Sequence, residues 1–342
     1  MPRVITFGEI MLRLSPPGFE RLFQSPALSA TFGGGEANVA ASLAHFGLES
    51  SYVTRVPKQA IGDAAVRCLR MEGVSTEHVV RGGDRLGIYF AEAGASQRAS
   101  TVIYDRAGSS IAGMQPGMVD WPQVMHGAHW FHVTGITPAL GASVAACTVQ
   151  AMTAARQAGA TVSLDLNYRR KLWSEAQAQA TMRPMMAMVD VLIANEEDIQ
   201  SVLGFVVPDA DPVAGRVEPA AYEAVARQVS KELGPGRVAI TLRESHSASD
   251  NGWSAVAWDR AADQFVQSQR YDVRVVDRIG GGDSFAAGLI FGLLDGRDTA
   301  AALRFAVAAS ALKHTIPGDF NRVTVDEVDR LSAGDASGRV QR

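Results

Sequence analysis

Only two cysteines, Cys68 and Cys147, occur in the 342 residues, each inside a run of small, helix-compatible residues. So sparse a supply excludes a disulfide framework, and the expectation is buried thiols in a reducing, cytoplasmic setting. Long hydrophobic runs are missing as well. None reaches the ~18 residues that a membrane span requires, and the first residues show neither the basic nor the apolar block of a secretory leader. Charge of one sign is not in excess: 32 Lys and Arg against 36 Asp and Glu give a formal net charge of −4. The chain therefore carries no electrostatic footprint for nucleic acid or for an anionic membrane. His126, His129 and His132 come nearest to a metal cluster, yet no cysteine or carboxylate group joins them. His129 and His132 fall in an apolar stretch with Trp130, Phe131 and Val133, where a buried, hydrogen-bonded histidine is the expected state. What these absences leave is a chain, 47% hydrophobic, able to bury a large core and suited to a small soluble substrate.

Short apolar runs at 4–7, 51–54, 130–133, 162–165, 191–193 and 238–241 read as strands. Helix candidates such as 144–157, 174–188 and 222–233 lie between most of them, which predicts an α/β fold with a doubly wound, mostly parallel sheet flanked by helices. Two regions break that rhythm. Residues 11–32 are rich in turn formers, and 86–106 hold two strand candidates, 88–91 and 101–104, with no helix between them. Consecutive strands make a hairpin, which sits poorly in a parallel sheet, so both pieces are assigned to a small β lid. The expected organisation is one domain over 1–331, a surface loop at 208–219 and a frayed tail at 332–342. There is no internal repeat. An exposed lid edge would suit a homo-oligomer formed by strand pairing.

The most informative segment runs Asp277-Arg278-Ile279-Gly280-Gly281-Gly282-Asp283-Ser284-Phe285 into an apolar, small-residue stretch. Three glycines bring bare N–H groups close to a ligand at the positive end of a predicted helix, which makes an anion site. A carboxylate there has a use if it takes a proton from a hydroxyl attacking phosphorus, so Asp283 is the candidate general base. The alternative is an ordinary N-cap aspartate. The spacing fits neither a dinucleotide fingerprint nor a Walker A loop. A second cluster, Gly33-Gly34-Gly35-Glu36-Ala37-Asn38, opens another helix-like run with Val39, Leu43 and Phe46 at helical spacing, suggesting the opposite wall of one cleft.

Together these two signatures resemble those of the ribokinase-like (PfkB) carbohydrate kinases, over essentially the whole chain. Where many members have Thr-Gly-Ala-Gly, this chain has Ile279-Gly280-Gly281-Gly282. The stretches Tyr104-Asp105-Arg106, Asp165-Leu166-Asn167-Tyr168-Arg169 and Thr241-Leu242-Arg243-Glu244-Ser245 are similar to the 2-keto-3-deoxygluconate kinase branch. The resemblance implies a ribokinase-like fold and ATP-dependent phosphorylation, with Gly34, Asn38, Tyr89, Tyr104, Arg106 and Arg169 around the sugar. It places Asn195, Arg243, Ser245, Gly280, Gly282 and Ala309 on the nucleotide side, with Asp283 and the N–H groups of Gly280, Gly281 and Gly282 at the transferring phosphoryl group. Asp198 would organise water on Mg2+, and Asp277 would hold a monovalent cation such as K+. From the residues themselves, Tyr89 and Tyr104 can each cover a sugar edge and bond a substrate oxygen. The guanidinium groups of Arg106 and Arg169 can grip a carboxylate that a neutral sugar lacks. The alternative is that Arg106 pairs with Asp105 at the surface and Arg169 with a neighbouring acid. A fructokinase or ribokinase-like enzyme of a neutral sugar, and a non-catalytic sensor on the same fold, remain the competing readings.

Overall fold

The computed structural model describes residues 1–195, 197–207, 219–335 and 338. The loop expected at 208–219 thus lies almost wholly outside the described residues, as does most of the expected tail. Six of the predicted strands appear where the apolar runs stand, as Arg3–Phe7, Glu49–Val56, Trp130–Thr134, Thr161–Asp165, Val191–Asn195 and Arg237–Ser245. Their residues are buried almost without interruption, Val4, Ile5, Phe7, Val53, Phe131, Val133, Val162, Leu164, Leu192 and Ile240 among them. Strands covered by helices on both faces read as continuous apolar runs in this way. With Val79–Arg81 they form seven neighbouring strands, each paired in parallel with the next.

Three strands at one edge were not foreseen. Asp250–Asp259 runs antiparallel to Arg237–Ser245, and both Gln264–Gln267 and Tyr271–Arg274 pair antiparallel with it, completing a ten-stranded sheet. Polar residues and tryptophans interleave along 250–274, so no simple periodicity marks it. The helices expected near 144–157, 174–188 and 222–233 are Ala142–Gln157, Glu175–Met185 and Ala221–Leu233. The second is started by a capping box in which Ser174 and Gln177 exchange hydrogen bonds.

A separate four-stranded sheet carries the predicted lid. Its order is Ser29–Gly33, Met11–Ser15, Gly87–Glu92, Thr101–Asp105, parallel in the middle pair and antiparallel at both flanks. Of the histidines, His132 is fully buried with Nδ1 2.8 Å from Ser163 Oγ, and burial pushes its pKa down to about 3. His129, expected to be buried, is exposed, and its Nδ1 accepts from the Arg3 N–H.

Candidate active site

Parallel strands deliver their carboxyl ends to one edge of a sheet, and there the lid encloses a cavity of about 400 Å³. Two helices point their N-termini into it. Gly35–His45 follows the Gly33-Gly34 turn, and Gly281–Leu294 follows the Gly280 turn. The first N–H groups of any helix lack intrahelical acceptors, so both ends favour anions. Gly280 has φ 87°, the left-handed region that glycine alone adopts freely, and a Cβ there would overlap the Asp319 carbonyl oxygen. Gly281 backs onto the His314 ring, whereas Gly282 faces open space. The three glycines thus have different reasons: conformation, packing and room for a ligand.

Asp283 stands in the first turn of that helix and lines the cavity. Burial pushes its pKa up to about 6, against the Asn38 hydrogen bond that holds it down. Asn38 Nδ2 donates to Asp283 Oδ2 at 2.7 Å, while Asn38 Oδ1 accepts from the Gly34 N–H at 3.2 Å. One amide side chain therefore joins the two glycine-rich turns. Below it, Glu36 is almost fully buried and accepts from Thr134 N, Thr134 Oγ1 and Thr137 Oγ1; burial raises its pKa to about 7.

The cavity is lined by Gly34, Asn38, Tyr89, Tyr104, Arg106, Arg169, Asn195, Asp198, Arg243, Gly280, Gly282 and Asp283. Several of these are engaged differently from expectation. Arg106 does not pair with Asp105, which is exposed and bound by Arg85; its Nε and Nη2 donate to the buried Glu9 carboxylate, and its Cζ lies 5.0 Å from the Tyr104 ring centre. Half of that fork is already spent on an internal acid. The Tyr89 hydroxyl donates to Asp319 Oδ2 at 2.5 Å rather than pointing to a substrate. Its ring packs 5.9 Å from that of Tyr104. Arg169 donates from Nη1 to the Tyr168 carbonyl oxygen and sits among Asp165, Asp198 and Asp283, whose carboxylates its charge favours.

Three expected residues lie elsewhere. Ser245 is exposed and does not line the cavity, although Asn251, its partner across the antiparallel pair, does. Ala309 is sealed between helices, its methyl 3.3 Å from where a Cβ on Gly288 would stand. Asp277 does not line the cavity, and its carboxylate is filled by protein: Oδ1 accepts from the Ile279 N–H, and Oδ2 from the Gly318 N–H and from Arg13 Nη2 at 2.7 Å. Arg13 is thus the cationic partner of Asp277 in this structure. Asp198 is buried, accepting from Asn195 Nδ2 and the Tyr168 N–H, and burial pushes its pKa up to about 6.

Other residues were not singled out from sequence. Asp165, at the end of its strand, is buried in the cavity wall; burial, then Asp198 and Asp283, hold its pKa well above the usual carboxylate range. Arg278 and Arg243 approach each other closely enough that the second lowers the pKa of the first, after burial. Among the described residues, Arg278 Nε is buried without a hydrogen-bond partner. The position of Asp165 at a strand's carboxyl end was a readable signal; the meeting of Arg243 and Arg278, 35 residues apart in the chain, was not.

The sequence profile of the pfkB family carbohydrate kinases matches residues 1–322. In sequence the chain is 32% identical to the 2-dehydro-3-deoxygalactonokinase of Haloferax volcanii over 98% of both chains, and 29% identical to the 2-dehydro-3-deoxygluconokinase of Bacillus subtilis over 94% of this chain and 93% of that one. In structure it is similar to the crystal structure of 2-dehydro-3-deoxygluconokinase from Thermotoga maritima, with a TM-score of 0.94 and 48% identity, covering 98% of this chain and 100% of that one. The profile match over residues 1–322, with a fold shared from end to end with the Thermotoga enzyme and two helix N-termini converging on a carboxylate, places the chain in the pfkB family of carbohydrate kinases.

Proposed function

We propose that the chain transfers the γ-phosphoryl group of ATP to the terminal hydroxyl of 2-keto-3-deoxygluconate, giving the 6-phosphate and ADP. The observation that carries this reading is Asp283, a carboxyl held near pH 6 by burial at the mouth of two anion-favouring helix ends, with Arg169 across the cavity. A base of that pKa is ionised at neutral pH yet strong enough to take a proton. In the step, the substrate oxygen loses its proton to Asp283 and bonds to phosphorus as the bond to the bridging oxygen of ADP breaks. The N–H groups of Gly282 and Asp283 meet the charge on the transferring group, and Arg243 with Arg278 receives the phosphates behind it. Magnesium, carried in with ATP, would neutralise phosphate charge, and Asp198 would hold water on it. Tyr104 covers the sugar, the lid excludes water, and Arg169 receives the sugar-acid carboxylate.

The naming of the 48% identical relative favours the gluconate epimer, and the Haloferax protein makes the galactonate epimer its first competitor. A neutral sugar is the second reading, favoured by the commitment of Arg106 to Glu9. A coupled ADP-release assay across both keto-deoxy acids, fructose and ribose tests it: preference for either neutral sugar would overturn the sugar-acid assignment. The exposed residues of the lid edge strand Ser29–Gly33 support a homo-oligomer, readable as molar mass in solution. The two free thiols fit a cytoplasmic location.

A further inference from the structure

Beneath the anion-binding turn lies a buried group of charges that the proposed chemistry does not use. Arg13, from the lid strand Met11–Ser15, spans two carboxylates: Nη2 lies 2.7 Å from Asp277 Oδ2 and Nη1 2.8 Å from Asp319 Oδ1. Asp277 also accepts from Ile279 N and Gly318 N, so it staples the turn to the segment after helix Thr299–Lys313. Asp319 takes the Tyr89 hydroxyl. Lys313, the last residue of that helix, is fully buried; its Nζ donates to the Ile316 carbonyl oxygen at 3.1 Å, and its Cε would lie 3.2 Å from a Cβ on Gly280. Asp319, buried, and Asp277, half-buried, thus face the buried bases Arg13 and Lys313 beside the glycine whose conformation opens the anion hole.

A carboxylate buried without a counter-charge is strongly destabilising, and one left unneutralised here would repel the phosphoryl group above it. Many binding sites meet that need with a bound cation. We infer that in this chain Arg13 and Lys313 are the built-in cations of the anion-hole turn, so that phosphoryl transfer proceeds without a monovalent metal ion. Burial lowers the Lys313 pKa, and Asp277 and Asp319 oppose that fall. Both residues are positioning residues: they hold the turn, not the substrate. The inference rests on the kinase reading for its rate arm only.

The test uses the full chain at a constant ionic strength of about 0.1 M, with potassium exchanged for tetramethylammonium, which is too large to enter a buried site. Wild-type kcat and Tm are expected to be the same in either salt. Lys313→Met, which keeps the side-chain bulk and removes the charge, is expected to lose about 10- to 100-fold in kcat with a smaller change in KM for ATP, as a displaced turn misaligns the reacting groups. Part of that loss should return with potassium or ammonium, and the Tm of the variant should climb with potassium concentration because an ion bound only to the folded state stabilises it. Adding Asp319→Asn should abolish that climb. Activation of the wild type by potassium overturns the proposal, as does a Lys313→Met variant with wild-type kcat in tetramethylammonium, or one whose rate and Tm both ignore potassium. If no sugar is phosphorylated at all, the function assigned above fails, while the Tm measurements still decide this inference.

Discussion

Asn38 offers the sharpest test of the proposed chemistry, because it lines the cavity and bonds directly to the carboxylate of Asp283. Its Nδ2 donates to Asp283 Oδ2 at 2.7 Å and is the largest influence holding that pKa down against burial. A hydrogen bond to a charged group contributes about 1.5–3 kcal/mol, equivalent to roughly 1–2 pKa units. Removing it in Asn38→Ala leaves the carboxylate buried with less compensation, so the pKa moves up from about 6 to roughly 7–8. A general base works only when ionised, so the acid limb of kcat/KM against pH must move the same way. At pH 6.5 the ionised fraction falls from about three-quarters to between about a quarter and a few hundredths, and at pH 9 the two enzymes converge. The assay is ADP release with the preferred sugar from pH 5 to 9, beside a thermal melt to establish folding. An acid limb that stays in place, or moves to lower pH, would refute the assignment of Asp283 as the base.

Three further outcomes follow from the same geometry. Gly280→Ala, at φ 87° and against the Asp319 carbonyl oxygen, should fold poorly or lose most activity, whereas Gly282→Ala, which faces open space, should melt like wild type and lose chiefly kcat; equal melting of both would undo this division of roles. Arg169→Ala should raise KM for the sugar acid by about 10- to 150-fold, the worth of a charge-assisted hydrogen bond, and leave a neutral analogue's KM unchanged, read from initial rates with both substrates; weakening of both alike would mean general damage. The Glu36 carboxyl has a folded pKa of about 7, above its ordinary 4.5, so its contribution to stability is present below the ordinary value and lost as pH rises through about 7. Glu36→Gln keeps the acceptor oxygen for Thr134 and Thr137, and its Tm should gain on that of wild type between pH 4.5 and about 7 and hold that gain above; a gap that is flat across that window would count against a buried, titrating Glu36.

How much of this was legible in the chain depended on the range of the interaction. The parallel strands announced themselves because burial on both faces writes an unbroken apolar run, and the two glycine turns because each needs glycine locally, Gly280 for its left-handed backbone and Gly34 for its close approach to the Glu9 carbonyl oxygen. The hairpin at 86–106 was readable because no helix intervenes. Partner choice was not legible. Arg106 binds Glu9, 97 positions away, and not its neighbour Asp105; Tyr89 reaches Asp319; Arg13 crosses from the lid to Asp277. Each is settled by where two sheets bring distant side chains, which neither spacing nor residue type encodes. Ala309 and Ser245 were misplaced for a simpler reason: resemblance supplies a neighbourhood, while the register of a helix or the extra length of a strand decides which side chain looks into it.

The helix that carries Asp283 lies against its neighbour along a seam with no spare volume. A Cβ on Gly288 would stand 2.8 Å from the Ala306 Cα, and one on Gly292 2.8 Å from the Ala302 Cα. Backbones this close leave few alternative packings, so the base and its N–H donors are mounted on a stiff beam whose alignment is set during folding, not on substrate arrival. Adaptation to new sugars therefore has one cheap direction, the four-stranded sheet on the far side of the cavity. Sequence drift in a lineage of such enzymes would be tolerated there, outside Arg13 and Tyr89, and resisted along 288–306, although none of the seam residues lines the cavity.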